Sequence, residues 1–220
     1  RQRQMCIRDR LKSASEIISE TEDKTKREKL INIVSHDVER IERLITDYSQ
    51  MLKDEAVIST ETMQKIDIKD IAKSVVDDFN NIYNSKRKIQ IRLKSNGSEN
   101  YFILGINNRI EQIIANLLEN SISFSDENQE IIVEVSKDKE GKPRIVVIDE
   151  GTGFSEKDTT KIFNRFYSNR PKNFGEHSGL GLNIVKNLVE LHNGEIKAEN
   201  NKYKGAKVEI IFPAAQWKVD

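Results

Sequence analysis

Hydrophobic and polar positions change their period part-way along this 220-residue chain. From 11 to 55 the pattern is helical. Leu30, Val34, Val38, Ile41, Ile45, Tyr48 and Leu52 recur in steps of three and four, opposite a face carrying Glu39, Arg40, Glu42 and Arg43. The apolar stripe is narrow, so such a helix needs a partner to cover it. The polar run "SETEDKTK" breaks the segment into a short helix and a long one, a helical hairpin, and two hairpins from two chains make a four-helix bundle. The plainer reading of the same pattern is one solvated helix packed on the next domain.

After a connector over 56–66 the pattern turns to mixed α and β through 67–214, with a short tail at 215–220. "IKDIAKSVVDDFNNIY" is an amphipathic helix. "KIQIRLK" alternates as a strand does, and "YFILGI" is a second strand. "NNRIEQIIANLLENSISF" is a long helix with Asn107 or Asn108 as its cap. Strands follow at "EIIVEVSKD" and "PRIVVID", joined by a turn through Gly141. Then come a short helix at "SEKDTTKIFNRF", a loop of turn-formers, a helix at "LGLNIVKNLVELH", and a closing strand pair at "GEIKAEN" and "GAKVEIIFP". The expected class is α+β: a helical hairpin followed by an α/β sandwich with a mixed sheet.

Composition narrows the function. Acidic and basic residues balance at 36 each, which argues against the basic footprint of a nucleic-acid binder. One cysteine, Cys6, excludes an internal disulfide framework. No apolar run approaches the ~20 residues of a membrane span. The first ten residues, "RQRQMCIRDR", hold four arginines in a chain that otherwise prefers lysine. They resemble adaptor read-through, so 1–10 are expected to be non-native and the natural sequence upstream of Leu11 to be missing.

Four constellations carry chemistry. Asn116 and Asn120 lie one turn apart on one helix face, where an amide oxygen suits a hard cation such as Mg²⁺ that is otherwise held by water and phosphate. Asp149 ends a strand and precedes Gly151 and Gly153, a fixed acceptor beside a backbone open to close approach. In "SGLGLNIVK", Gly179 and Gly181 open a helix whose unpaired N–H groups favour an anion; the run is not a P-loop, since no Lys-Ser or Lys-Thr follows. The long loop from Asn164 to Ser178 brings Arg165, Arg170 and Lys172 as cationic donors for a polyphosphate. Taken singly, each has an ordinary reading: surface amides, a turn, a capping feature, a loop.

Their order and spacing resemble the ATP-binding domain of sensor histidine kinases, built on the Bergerat fold shared with gyrase-type ATPases and Hsp90. The resemblance covers 67–213. It implies ATP and Mg²⁺ as ligands. Asn120 would be the Mg²⁺ ligand with Asn116 its polar neighbour, and Asp149 the acceptor for the adenine amine, with Gly151 and Gly153 making room for the purine. Phe163, Arg165 and Phe166 would be the lid motif, and Gly179, Leu180, Gly181 and Leu182 the second glycine box. Two departures stand out. Ser123 and Phe124 occupy positions where many such kinases have Lys and an aromatic residue, and Glu176-His177 replaces a Gly pair. With "FYSNRP", "FGEHSGLGL" and "SISFS", these look like the ChvG-type subgroup.

The resemblance further implies a catalytic core that passes the γ-phosphate of ATP to a histidine and then to an aspartate on a response-regulator receiver domain. It implies a homodimer formed through the hairpin, a cytoplasmic portion, and a parent held in the bacterial inner membrane by upstream segments. "LKSASEII" resembles the stretch just downstream of the phosphoacceptor motif, which puts the acceptor near position 2, inside the foreign terminus; it is expected to be absent here. His36, next to Asp37, imitates that motif but sits on the second helix without the accompanying proline, and is read as a bundle-surface residue. His177 and His192 are read as structural. The alternative is a non-kinase ATP-binding or dimerising module of the same fold; a hydrolytic one needs a glutamate where Asn116 stands.

Overall fold

The computed structural model describes residues 16–18, 23–57, 61–155, 158–167, 179–202 and 204–215. It divides into two compact units that part between Ala56 and Val57. The first is dominated by helix α1 (Lys24–Val57), whose opening turn is capped by Asp23: its Oδ1 accepts from the Thr25 amide at 2.9 Å. Along α1, Leu30, Val34 and Ile41 are half-buried, while Ile31, Ile33, Val38 and Ile45 are exposed.

The second unit begins with strand β1 (Gln64–Asp67), which runs into α2 (Ile68–Arg87). Asp67 caps α2 by accepting from the Lys69 amide at 3.0 Å, and the same oxygen accepts from Tyr101, tying the helix start to the next strands. Lys88, at φ +53°, ends the helix in a left-handed turn. Strands β2 (Gln90–Ser95) and β3 (Phe102–Gly105) follow, then α3 (Asn107–Phe124), β4 (Glu130–Lys137) and β5 (Pro143–Ile148). A 3₁₀ turn (Thr159–Phe163), α4 (Gly181–Leu191), β6 (Glu195–Asn200) and β7 (Ala206–Ile211) complete the unit.

The main sheet has the order β2-β4-β5-β7-β6, with β2 parallel to β4 and every other pair antiparallel. A two-stranded ribbon, β1 with β3, lies apart from it. Alternation along the strands gives the sheet two unlike faces. Ile91, Ile131, Val133, Val135, Ile145, Val147, Val208 and Ile210 turn into one core with the helices. To it α2 contributes Ile68, Ile71, Ala72, Val75 and Val76, α3 contributes Ile110, Ile113, Ile114, Leu117, Leu118 and Ile122, and α4 contributes Val185, Leu188 and Val189. Each buried Val, Ile or Leu among them is worth roughly 1.5–3 kcal/mol of burial. The opposite face carries charge: Arg144 on β5 bridges Glu134 on β4 at 2.8 Å and Glu209 on β7 at 3.1 Å.

Three local expectations change. The cap of α3 is neither Asn107 nor Asn108; both lie inside the first turn, and the flanking residue is Ile106, which makes no side-chain cap. The Ile106 amide instead donates to His192 Nε2 at 3.1 Å, a partner 86 residues away. The helix at "SEKDTTKIFNRF" contracts among the described residues to the five-residue 3₁₀ turn, capped by Asp158. Strand β1 occupies the end of the stretch expected to be connector.

Candidate functional site

Asp149 follows β5 directly and is 5% exposed. Its Oδ1 accepts from the Gly151 amide at 2.9 Å and the Ala206 amide at 3.0 Å, and its Oδ2 from the Ser121 hydroxyl at 3.2 Å. Burial pushes the carboxyl pKa above its ordinary 3.8, against the pull of these three donors. A carboxylate offers about four lone-pair directions. Three are engaged, so one acceptor direction remains on Oδ2. The carboxylate is thus fixed by α3, by its own turn and by β7.

Ser121 was not singled out from the sequence, although a signal was there. It falls on the buried stripe of α3, three and four residues past Leu118 and Leu117. A hydroxyl in an apolar stripe has to find a buried partner, and here the partner is Asp149. Ser125 repeats the position one turn later and donates to the Ser121 carbonyl at 2.9 Å.

The glycines around Asp149 answer first to packing. A Cβ on Gly151 would lie 2.6 Å from the Phe124 carbonyl oxygen, and one on Gly153 would lie 2.7 Å from Asn200 Oδ1. The same Asn200 amide grips the backbone of Phe154, accepting from its N–H at 2.6 Å and donating to its carbonyl at 2.9 Å. Gly205, at φ +91°, backs onto the Asp149 carbonyl so closely that a Cβ there would overlap it. Gly205 escaped sequence reading altogether.

On α3 both asparagines are half-buried. Asn116 Nδ2 donates to the Gln112 carbonyl at 2.9 Å, which turns Oδ1 toward the start of α4: a Cβ on Gly181 would sit 3.4 Å from it. The middle of the asparagine helix therefore faces the start of the Gly-Leu-Gly helix. Asn120 lies one turn beyond Asn116. Ser123 folds back on the helix and donates to the Asn120 carbonyl at 2.6 Å.

Leu180 is buried just before α4, Gly181 opens the helix, and Leu182 packs half-buried on the core. Phe163 is buried and ends the 3₁₀ turn; Arg165 is exposed, and Phe166, 40% exposed, has φ +60°. Gly179, at φ +72°, lies behind them, with the Tyr167 carbonyl 2.7 Å from where its Cβ would stand. Arg170, Lys172, Glu176 and His177 lie outside the described residues, as do residues 1–10 and the side chain of His36, which belongs to α1. His192 is 2% exposed and locked between the Leu188 carbonyl, 2.7 Å from Nδ1, and the Ile106 amide; burial lowers its pKa from 6.5. Among the described residues no group of three or more His, Cys, Asp or Glu side chains is placed to hold a metal, and no helix is long and apolar enough to cross a membrane.

A mixed sheet with helices on one face, an acid behind a central strand and glycines before the last helix is the Bergerat fold. The chain belongs to the family described as histidine kinase-, DNA gyrase B-, and HSP90-like ATPases, whose profile matches residues 105–216, just over half of its length. Its substrate class is accordingly a nucleotide. Among curated proteins it is similar to the sensor protein ChvG of Agrobacterium fabrum, 34% identical over 94% of this chain and 36% of that protein. It is also similar to ChvG of Rhizobium meliloti, 32% identical over 93% and 37%. The chain thus spans little more than a third of the length of these relatives. Among solved structures it resembles the Acinetobacter baumannii histidine kinase AdeS, with a TM-score of 0.61 at 19% identity over 94% of both chains, a likeness of fold.

Proposed function

We propose that this chain is the ATP-binding catalytic core of a sensor histidine kinase, which binds Mg²⁺–ATP and delivers the γ-phosphoryl group to a histidine, from which it passes to a response-regulator aspartate. The observation that carries the reading is Asp149: a buried, fully oriented carboxylate with one acceptor direction left, suited to the exocyclic amine of adenine. Guanine presents a carbonyl oxygen at the equivalent place, and two acceptors facing each other repel.

The phosphate end is read from α3 and α4. The start of α4 carries no side-chain cap, so its N–H groups would suit anionic oxygens, and Arg165 would add a cation. Mg²⁺ suits the donor set: Asn116 and Asn120 carry neutral amide oxygens, and among the described residues no acidic cluster is placed to hold a metal elsewhere. Mg²⁺ keeps its waters and is commonly held by one or two protein groups plus phosphates. Bound there through Asn120, it would neutralise charge on the phosphates. The protein's own part is positioning and charge stabilisation. The exposed isoleucines and valine of α1 fit a helical hairpin that dimerises, and the parent protein is read as anchored in the inner membrane by other segments.

Titration of the chain with a fluorescent adenine nucleotide and Mg²⁺ tests this. Asp149→Ala is expected to weaken binding by about tenfold or more. Equal affinity in the two proteins would defeat the assignment of the site.

A further inference from the structure

Asn183 lies on the buried face of α4, three residues past Leu180 and 8% exposed. Its Nδ2 donates to the Phe163 carbonyl at 2.9 Å, across 20 residues of chain, while its Oδ1 is buried without a partner. Only the NH₂ end of the amide can donate to a carbonyl; the reversed amide would set two acceptors face to face, so the chemistry fixes the orientation. An orphaned buried acceptor is unfavourable. A leucine of similar size would fill the same space without one. What the asparagine adds over leucine is the bond to Phe163.

That bond holds the start of a segment whose far end is also held by α4. Phe163 closes the 3₁₀ turn, and the Tyr167 amide donates to Asn164 at 3.1 Å to form the next turn. The Phe166–Tyr167 backbone then lies against Gly179, which has no Cβ to push it away. Residues 163–167 are pinned at one end by Asn183 and at the other by Gly179, both at the N-terminal end of the same helix.

We propose that Asn183 is a positioning residue that keeps the Phe163-Arg165-Phe166 segment in register with the N-terminus of α4, so that the Arg165 guanidinium meets the phosphate end of the nucleotide. The inference rests on the ATP site proposed above and adds a residue to it whose influence is confined to the phosphates. The Asn183 amide bonds Phe163 and is not among the three donors that hold Asp149.

The test compares the whole chain with Asn183→Leu and Asn183→Asp, titrated by calorimetry with Mg²⁺–ATP and separately with adenosine. Leucine keeps the volume and removes both the bond and the orphan. Aspartate keeps the shape but sets a carboxylate against the carbonyl, and it carries the test if the leucine variant misfolds. Both variants are expected to lose about five- to tenfold in affinity for ATP, with adenosine unchanged within about twofold. Asn183→Leu should melt at or above the wild-type temperature. Wild-type affinity for ATP in a folded variant overturns the proposal, and so does an equal loss for ATP and adenosine, the mark of a merely structural role. Asp149→Ala run alongside separates the two readings. If it weakens both ligands while the Asn183 variants weaken neither, only the positioning role falls. If it weakens nothing, the ATP site falls and the positioning role with it.

Discussion

The two ends of the candidate site are built differently. Around Asp149, three donors from three parts of the fold converge on one carboxylate, and Gly151 and Gly205 leave no slack for the backbone to move. Around Arg165 and Phe166, both side chains are exposed, and the backbone that carries them is joined to α4 through the Asn183 hydrogen bond and the Gly179 contact. Recognition of a base asks for a rigid acceptor whose alternatives are excluded. Handling of phosphates asks for charge that can be brought up and withdrawn. Free energy of local opening varies across a protein, and binding segments are drawn from the less stable end.

The sharpest way to break this contrast is Gly205→Ala. The new Cβ would overlap the Asp149 carbonyl at a left-handed φ, and a loss of about 3 kcal/mol or more is expected in urea denaturation. An unchanged midpoint would show slack where none is described. Next comes Asp149→Asn, which keeps Oδ1 as an acceptor for both amides but sets an NH₂ group toward Ser121. It should cost about tenfold or more in ATP affinity with less thermal destabilisation than Asp149→Ala, and equal melting of the two variants would contradict the orienting role of the amides.

The pH dependence separates the site from its scaffold. His192 serves neutral, as acceptor for Ile106, and its lowered pKa means that the unfolded chain binds the proton more readily. Its contribution is therefore complete above 6.5 and is lost as pH falls below that value. Asp149 has the opposite sign: its raised pKa gives stability below 3.8 that is lost as pH rises through the folded value. Denaturation midpoints measured from about pH 8 to about pH 5 should fall with pH in the wild type and flatten in His192→Gln, whose amide does not titrate there. The smallest change is expected for Ser121→Ala, which removes one of three donors: about threefold in ATP affinity, read in the same titration. A loss as large as that of Asp149→Asn would mean the carboxylate is less firmly held than its two amides suggest.

What could be read from the sequence was what depends on near neighbours. The stripe Ile110, Ile113, Ile114, Leu117, Leu118 gave α3 its full extent, and alternation in "EIIVEVSKD" gave β4 to within a residue. What escaped depends on distant ones. Strand β1 is four residues long with only a half-buried pattern, and its extended form comes from pairing with β3 some 38 residues on, Ile66 against Ile103 among them. The start of α3 looked asparagine-capped because asparagines cap well; the structure uses a histidine from the end of α4 instead. The acid of the site was visible from its place behind a strand, while its supports, Ser121, Ala206 and Gly205, were not. Their roles exist only once β5, β7 and α3 lie side by side.

The three donors to Asp149 come from positions 121, 151 and 206, so the acceptor is assembled from the later half of the second unit, up to its last strand. The last strand has to dock before the carboxylate is set. Because contacts between distant positions form slowly, competence to grip a purine should appear late during refolding. A nascent polypeptide that has not yet delivered Ala206 would lack it, which makes nucleotide capture itself a readout of completed folding.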